Sequence, residues 1–170
     1  MADHQSPYCH QCGGETVQAE VEGRSRPKCV DCGSITYYDP KLAVAVIISR
    51  DGEILLGKRG PGTREAGKWS FPAGFVERGE RVEVAAAREA REEVNLAVEV
   101  GEILLIVSYE GEAVVLAVYL VASFSGVAAA GDDLIDVGWF SPDRLPDLAF
   151  PHDQAIIDAW VSAAGSERQA

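Results

Sequence analysis

Apolar segments alternate with glycine-marked polar turns along most of this chain. Lys41 to Ser49 (KLAVAVIIS) is apolar at nearly every position, as in a strand covered on both faces. Arg50-Asp51-Gly52-Glu53 then carries the Asp-Gly hairpin signal, and Ile54 to Arg59 returns as a second strand. Lys68 to Phe71 reads as a short strand stopped by Pro72, after which Ala73-Gly74 opens a loop. Ala97 to Tyr109 and Ala113 to Phe124 read as strands joined at Glu110-Gly111-Glu112, and Leu134 to Phe140 as a further strand. Ser141-Pro142 has the form of a helix cap followed by a first-turn proline. Helical spacing predicts one helix over about Arg81 to Val94 and another over His152 to Ala164, the latter with Ile156, Ile157, Trp160 and Val161 on one stripe. Near the N-terminus, Thr16 to Val21 and Ile35 to Tyr38 read as short strands, and Asp39-Pro40 marks a boundary. Hairpin-like neighbours with interspersed helices predict an α+β fold, a sheet with helices on both faces. The expected organisation is a small unit at 1–39, a principal domain at 40–165 and a polar, frayed tail at 166–170.

The first helix has an unusual charge pattern. Gly74 to Leu96, GFVERGERVEVAAAREAREEVNL, holds six acidic and four basic residues. Glu89, Glu92 and Glu93 stand at i, i+3 and i+4, so their carboxylates share one face and repel one another. Glu92 and Glu93 also precede a helix end at Asn95, where the helix dipole disfavours negative charge. Such an arrangement calls for a cation, and clustered oxygen ligands suit Mg2+ or Mn2+. A solvated charged face is the ordinary alternative. It would spread Glu and Arg for i,i+4 pairing and would leave the preceding glycine loop without a reason.

All four cysteines lie in the first 32 residues, as Cys9-x2-Cys12 and Cys29-x2-Cys32. Each pair reads as a knuckle, with Gly13, Gly14 and Gly33 permitting the turn, and four thiolates complete a tetrahedral, structural Zn2+ site. A disulfide pair is the rival reading, and the expected reducing compartment disfavours it. Four thiolates leave the metal no open position, so this zinc is not expected to catalyse. His4, His10 and His152 are expected to be surface or structural residues.

The net charge of −12 is uneven. Residues 97–170 hold twelve acids against Arg144 and Arg168, whereas 41–73 hold six Lys or Arg against three acids. That positive segment beside the glutamates suits phosphate oxygens, although a solvated surface accounts for it equally. Residues 1–40 hold six acids and only Arg24, Arg26 and Lys28. Neither the cysteine-bearing unit nor the whole chain is therefore expected to bind nucleic acid. The run Leu42 to Ile48 is far too short to span a bilayer, and MADHQSPY has no export signal, so a cytoplasmic protein without a membrane partner is expected.

Gly74 to Leu96 resembles the Nudix box, G-x5-E-x7-R-E-U-x-E-E-x-G-U with U apolar. Ala90 is a small apolar residue, and Asn95 replaces the last glycine. Asn is the next-best residue for a left-handed helix end, so the geometry should survive. LLGKR, GKWSFPAGFVERGE and WFSPDRLP resemble the surrounding Nudix segments. The resemblance implies an α/β/α sandwich with a mixed sheet, behind a small zinc ribbon. It also implies divalent-metal hydrolysis of a nucleoside diphosphate linked to a group X. Glu89, Glu92 and Glu93 would hold the metals with the Ala73 carbonyl, Glu80 would be a nearby or water-mediated ligand, and Arg88 would tie Glu80 or the loop in place. Gly74 would let the backbone approach closely, while Glu77 and Glu83 are expected to be solvated. The general base is either Glu89 or a later acid among Asp132, Asp133 and Asp136, with Asp136 favoured because it enters the strand before Trp139-Phe140. Arg59 is a phosphate contact or a strand-end ion pair, and Trp69 a stacking residue or a core residue.

A ribbon directly before a Nudix domain of this length, with a closing LAF, resembles the subgroup that includes the plant chloroplast FAD and ADP-ribose pyrophosphatases. The longer NADH pyrophosphatases carry an SQPWW segment with no match here. The expected substrate is thus ADP-ribose or FAD ahead of NADH, releasing AMP, with 148–153 able to close over the second nucleoside half. A (d)NTP pool sanitiser and a non-catalytic ligand sensor are the alternatives, and a homodimer is a further expectation. The complete carboxylate set argues against the sensor.

Overall fold

The computed structural model describes residues 7–167. His4 lies outside them. The chain divides into two compact units, Met1–Asp39 and Pro40–Ala170.

The first unit is built on one hairpin, β1 (Thr16–Val21) and β2 (Arg24–Cys29), in antiparallel register from Thr16↔Cys29 to Val21↔Arg24. Glu22 and Gly23 both have positive φ, 53° and 73°, which is the two-residue turn that matches strand twist. β2 takes the place of the strand expected at Ile35 to Tyr38, which supplies only an isolated bridge, Lys28↔Ile35. Pro27 lies within this strand although it lacks an N–H. A two-stranded sheet is all edge, so that loss removes no central ladder bond. The Pro27 carbonyl instead accepts the Thr36 N–H at 2.9 Å.

In the second unit β3 (Lys41–Ile47) sits between β7 (Ala73–Phe75), antiparallel to it, and β9 (Val114–Ser125), parallel to it, with β8 (Ala97–Ser108) beyond β9. A second sheet places β5 (Glu53–Arg59) between β4 (Ser49–Arg50) and β10 (Leu134–Phe140), with β6 (Trp69–Ser70) also paired to β5. The Asp51-Gly52 turn between β4 and β5 has φ of 51° and 80°, the primed geometry its sequence signals.

The apolar run from Val44 to Ile48 is continuous because both faces are buried. Val44, Val46 and Ile48 pack with Ala85, Ala86, Ala90 and Val94 of α1 (Val82–Val94). Ala43, Ala45 and Ile47 pack with Ile156 and Ile157 of α2 (Pro151–Glu167). Period-two alternation thus sends one strand into two cores, each fully buried Val or Ile contributing about 1.5–3 kcal/mol. This is an α+β sandwich with a mixed sheet. No helix among the described residues is long and apolar enough to cross a membrane.

Three local expectations differ. Ala73 and Gly74 do not open a loop but extend along β3, where Ala73 opposes Ala45 and Gly74 opposes Val44. Ser141-Pro142 begins a turn rather than a helix: the Arg144 N–H donates to the Ser141 carbonyl at 2.9 Å, and the Ser141 hydroxyl is held by Asp143 instead of capping. α2 continues to Glu167, into the segment expected to fray, and 168–170 lie outside the described residues.

Candidate active site and metal centres

Helix α1 presents an apolar stripe of Ala85, Ala86, Ala90 and Val94, and that stripe carries Glu89 and Glu93 inward with it. Both glutamates are buried, at 8% and 7% exposure. Ala90 is fully buried, and its small side chain lets the helix lie close to the sheet. The helix ends at Asn95 in the left-handed conformation, φ 58° and ψ 26°, where both the Asn95 and Leu96 N–H groups donate to the Ala90 carbonyl. The Asn95 side-chain amide reaches Val127 O at 3.1 Å.

Arg88 organises the acidic face. Its Nε and Nη2 donate to the two Glu80 oxygens at 3.0 Å each, and Nη2 also donates to the Phe75 carbonyl at 3.0 Å. Its Nη1 reaches Glu89 Oε1 at 2.6 Å and Glu92 Oε2 at 2.9 Å. Glu80 in turn accepts the Glu77 N–H, and with Arg88 this holds its carboxyl below the usual range. Glu93 has no such partner. Its Oε2 accepts the Ala73 N–H at 2.9 Å, on a strand fixed against Ala45. Burial pushes Glu93 up to about 7 against that N–H, and burial also raises Glu89 against Arg88. Gly74 faces this cradle so closely that a Cβ there would lie 2.1 Å from Glu89 Oε1.

Arg88 Nη1 holds Glu89 and Glu92 together, whereas Glu93 is held by the Ala73 N–H. Among the described residues, only Cys9, Cys12, Cys29 and Cys32 bring their ligand atoms within 4.8 Å of one another. The glutamate set still fits a hard divalent ion: two buried carboxylates with raised pKa values, beside a third on the same helix, gain most from a cation.

The cysteine cluster is fixed by paired knuckles. Cys9 N donates to Gly14 O and Gly13 N to Cys9 O; Cys29 N donates to Ser34 O and Gly33 N to Cys29 O. The Sγ atoms of Cys9 and Cys32 are 3.7 Å apart and those of Cys12 and Cys29 are 3.5 Å apart, and all four cysteines are free thiols. These separations are far beyond the roughly 2.05 Å of a disulfide. They approach the edge of about 3.8 Å that a tetrahedron with Zn–S bonds near 2.3 Å requires. His10 is exposed beside them.

The remaining candidates separate. Arg59 forms no ion pair among the described residues; its Nε donates to Arg64 O at 2.6 Å and its guanidinium lies over Phe150 at 5.1 Å. Trp69 packs edge-on against Phe140 at 4.8 Å within the cluster facing α2, the core arrangement. Asp136 is exposed, opposite Lys58, and accepts the adjacent Val137 N–H. Asp132 stands closer to the chemistry in electrostatic terms, since its charge contributes to raising both Glu89 and Glu93. Its loop docks on the helix end, Gly131 N donating to Glu93 O at 2.9 Å.

Sequence reasoning missed an aromatic group. His152 stacks on Phe150 at 5.3 Å and on Tyr109 at 6.4 Å, and Arg64 joins Arg59 over Phe150. Asp153 is buried at 2% exposure, accepts the Phe150 N–H and is pushed up to about 6 by burial. The Arg59 charge acts to lower both Glu93 and Asp153 against their burial, so it lies within electrostatic reach of each. The available signal was the segment Phe150-Pro151-His152-Asp153, a helix start with proline in its first turn.

Residues 39–161 match the family model of the NUDIX domain. The ADP-ribose pyrophosphatase of Methanocaldococcus jannaschii is 37% identical over 72% of this chain and 74% of its own. The NAD-capped RNA hydrolase NudC of Pseudomonas aeruginosa is 34% identical over 91% of this chain and 55% of its own, so the chain spans about half the length of that relative. The CTP pyrophosphohydrolase of Escherichia coli is 34% identical over 70% and 90%. Among solved structures, a NUDIX hydrolase from Nitrosomonas europaea superposes with a TM-score of 0.80 at 32% identity, covering 88% of this chain and 87% of that one.

Proposed function

The chain belongs to the NUDIX family and is a pyrophosphohydrolase, and from that premise we propose that it cleaves a nucleoside diphosphate linked to a second group, ADP-ribose or FAD first, releasing AMP. The observation that carries this reading is the cradle of buried Glu89 and Glu93 against Gly74 and Ala73, with Arg59, which lies over the Phe150 ring, within electrostatic reach of Glu93.

Glu89, Glu92 and Glu93, with the Ala73 carbonyl, would hold Mg2+ or Mn2+. Bound there, such an ion neutralises diphosphate oxygens and makes a water more acidic. Arg88 acts as a positioning residue, fixing Glu80, the Phe75 carbonyl and two of the carboxylates. Arg59, without an acid partner, is available to a phosphate oxygen. The aromatic group is assigned to the base, and Trp69 supports the floor of the site from the core. For the proton, Glu89 and Asp132 are preferred over Asp136, which faces Lys58 across the ladder. The homodimer and the cytoplasmic location stay part of this reading.

A second reading has specific support. The chain is similar to a CTP pyrophosphohydrolase and to an oxidized purine nucleoside triphosphate hydrolase of Danio rerio, so a triphosphate is the main competitor. The relatives named for NAD-capped RNA widen the class to a pyrophosphate carried on an RNA end. The deciding measurement is kcat/KM with Mg2+ for ADP-ribose, FAD, NADH, CTP, dGTP and 8-oxo-dGTP. A triphosphate winning by about tenfold, about 1.4 kcal/mol of transition-state binding, replaces our first choice.

A further inference from the structure

The β1–β2 hairpin sorts its charges by face. Residues directly opposite in an antiparallel pair project to the same side. Arg24, Arg26 and Lys28 therefore share one face, opposed by Val21, Ala19 and Val17. Glu20, the acid within β1, projects from the other face with Ser25. No ion pair among the described residues includes any of the three cations. Arg26 lies over the Tyr37 ring, 4.5 Å from its centroid, and its Nε is shielded with no hydrogen-bond partner. Tyr37 is 52% exposed. The face is thus a row of cations roughly 6.6 Å apart along the strand, flanked by a half-exposed aromatic ring that Arg26 covers on one side.

We propose that this hairpin face binds single-stranded RNA, with Arg24, Arg26 and Lys28 on phosphates and Tyr37 stacking on an unpaired base. Cations spaced along a strand suit a polyanionic backbone, and an exposed tyrosine suits bases that are splayed out of a helix. An acidic peptide would use the cations and leave the ring without a role. The sequence pointed away from nucleic acid because six acids outnumber three bases in residues 1–40. That count averages over both faces of the hairpin. Glu20 projects from the opposite face and Glu22 lies in the turn, so neither stands within the row itself.

The site stands apart from the catalytic reading, so the test uses an uncapped oligonucleotide that offers no pyrophosphate. Full-length, zinc-loaded protein is titrated with a labelled single-stranded RNA of about ten nucleotides by fluorescence anisotropy at about 50 and 200 mM salt. We expect binding at the lower salt, with log affinity against log salt falling at a slope of about −2 for three phosphate contacts. The double variant Arg24→Gln/Lys28→Gln leaves Arg26 on Tyr37, so its zinc content and thermal transition should match wild type. It should bind about tenfold or more weakly, with a slope shallower than about −1. Tyr37→Ala should weaken binding by about fivefold or more, with the salt slope unchanged. Absence of binding by the wild type at the lower salt overturns the proposal. So does equal binding by the double variant, or capture of an acidic peptide in place of the RNA.

Discussion

Gly74 has no room for a methyl group. Its ideal Cβ would sit 2.1 Å from Glu89 Oε1 and 2.2 Å from Cδ, and Glu89 is itself held by Arg88 and burial. Gly74→Ala is therefore expected to push Glu89 out of place while leaving most of the fold, and to cut kcat/KM by about a hundredfold or more with Mg2+. Steady-state kinetics together with an unchanged circular dichroism spectrum would check it; near-full turnover would show that Glu89 can move freely. Glu93 gives a prediction in pH. Its folded pKa, about 7, lies above the ordinary carboxylate value, so the folded state binds more protons than the unfolded one between those values. Stability without divalent metal should fall as pH rises from about 4.5 to 7, by roughly 3 kcal/mol from this residue, and level off above. Asp153, pushed up to about 6, adds a loss of the same sign. Denaturant midpoints in EDTA should show this slope and show it reduced in Glu93→Gln, which should also have lost the metal-dependent activity. A flat profile in the wild type would remove the burial argument for Glu93.

At the scale of elements, the end of α1 decides where the carboxylates lie. Asn95 holds φ at 58°, and the loop after β9 docks there through Ala129 N to Val94 O and Gly131 N to Glu93 O. Asn95→Gly should change the denaturant midpoint little, losing the bond to Val127 O but keeping the left-handed turn. Asn95→Val should cost about 1–3 kcal/mol, because a β-branched residue resists that conformation. If the two variants unfold alike, the turn is not what ends the helix. This element was legible because residue type, spacing and dipole position all agree within 23 residues. β3 was legible for the same kind of reason, since burial on both faces writes a continuous apolar run. β2 was not, because Pro27 looks like a strand breaker until the strand is known to be an edge. The ring group was not legible either: Tyr109 lies forty-one residues before Phe150, and only the folded sheet brings the two together around His152. Asp136 was favoured from its place in a strand, where its exposed carboxylate accepts the adjacent Val137 N–H, whereas the charge of Asp132 in the preceding loop contributes to raising Glu89 and Glu93.

At the scale of the whole molecule, the two units are stabilised by different physics. Nearly all the buried apolar residues from Ala43 onward fall in two extended clusters, whereas within residues 7–39 only Cys9, Pro27 and Cys29 are buried apolar side chains. A segment that short with so little core cannot offset its conformational entropy by apolar burial. Its stability must come from the thiolate cluster, so metal binding and folding of the hairpin should be one event. We expect one Zn2+ per chain in protein purified under reducing conditions without added zinc. Chelation under reducing conditions should then erase hydrogen-exchange protection across 16–29 while leaving it at 44–48. Turnover of the best substrate, with Mg2+ restored after the chelator is removed, should stay within about twofold, because four thiolates leave that zinc no open position for chemistry. Protection that survives chelation at 16–29 would mean that the hairpin folds without metal. Protection lost at both segments would mean that the principal core depends on the ribbon, which its separate apolar clusters give no reason to expect.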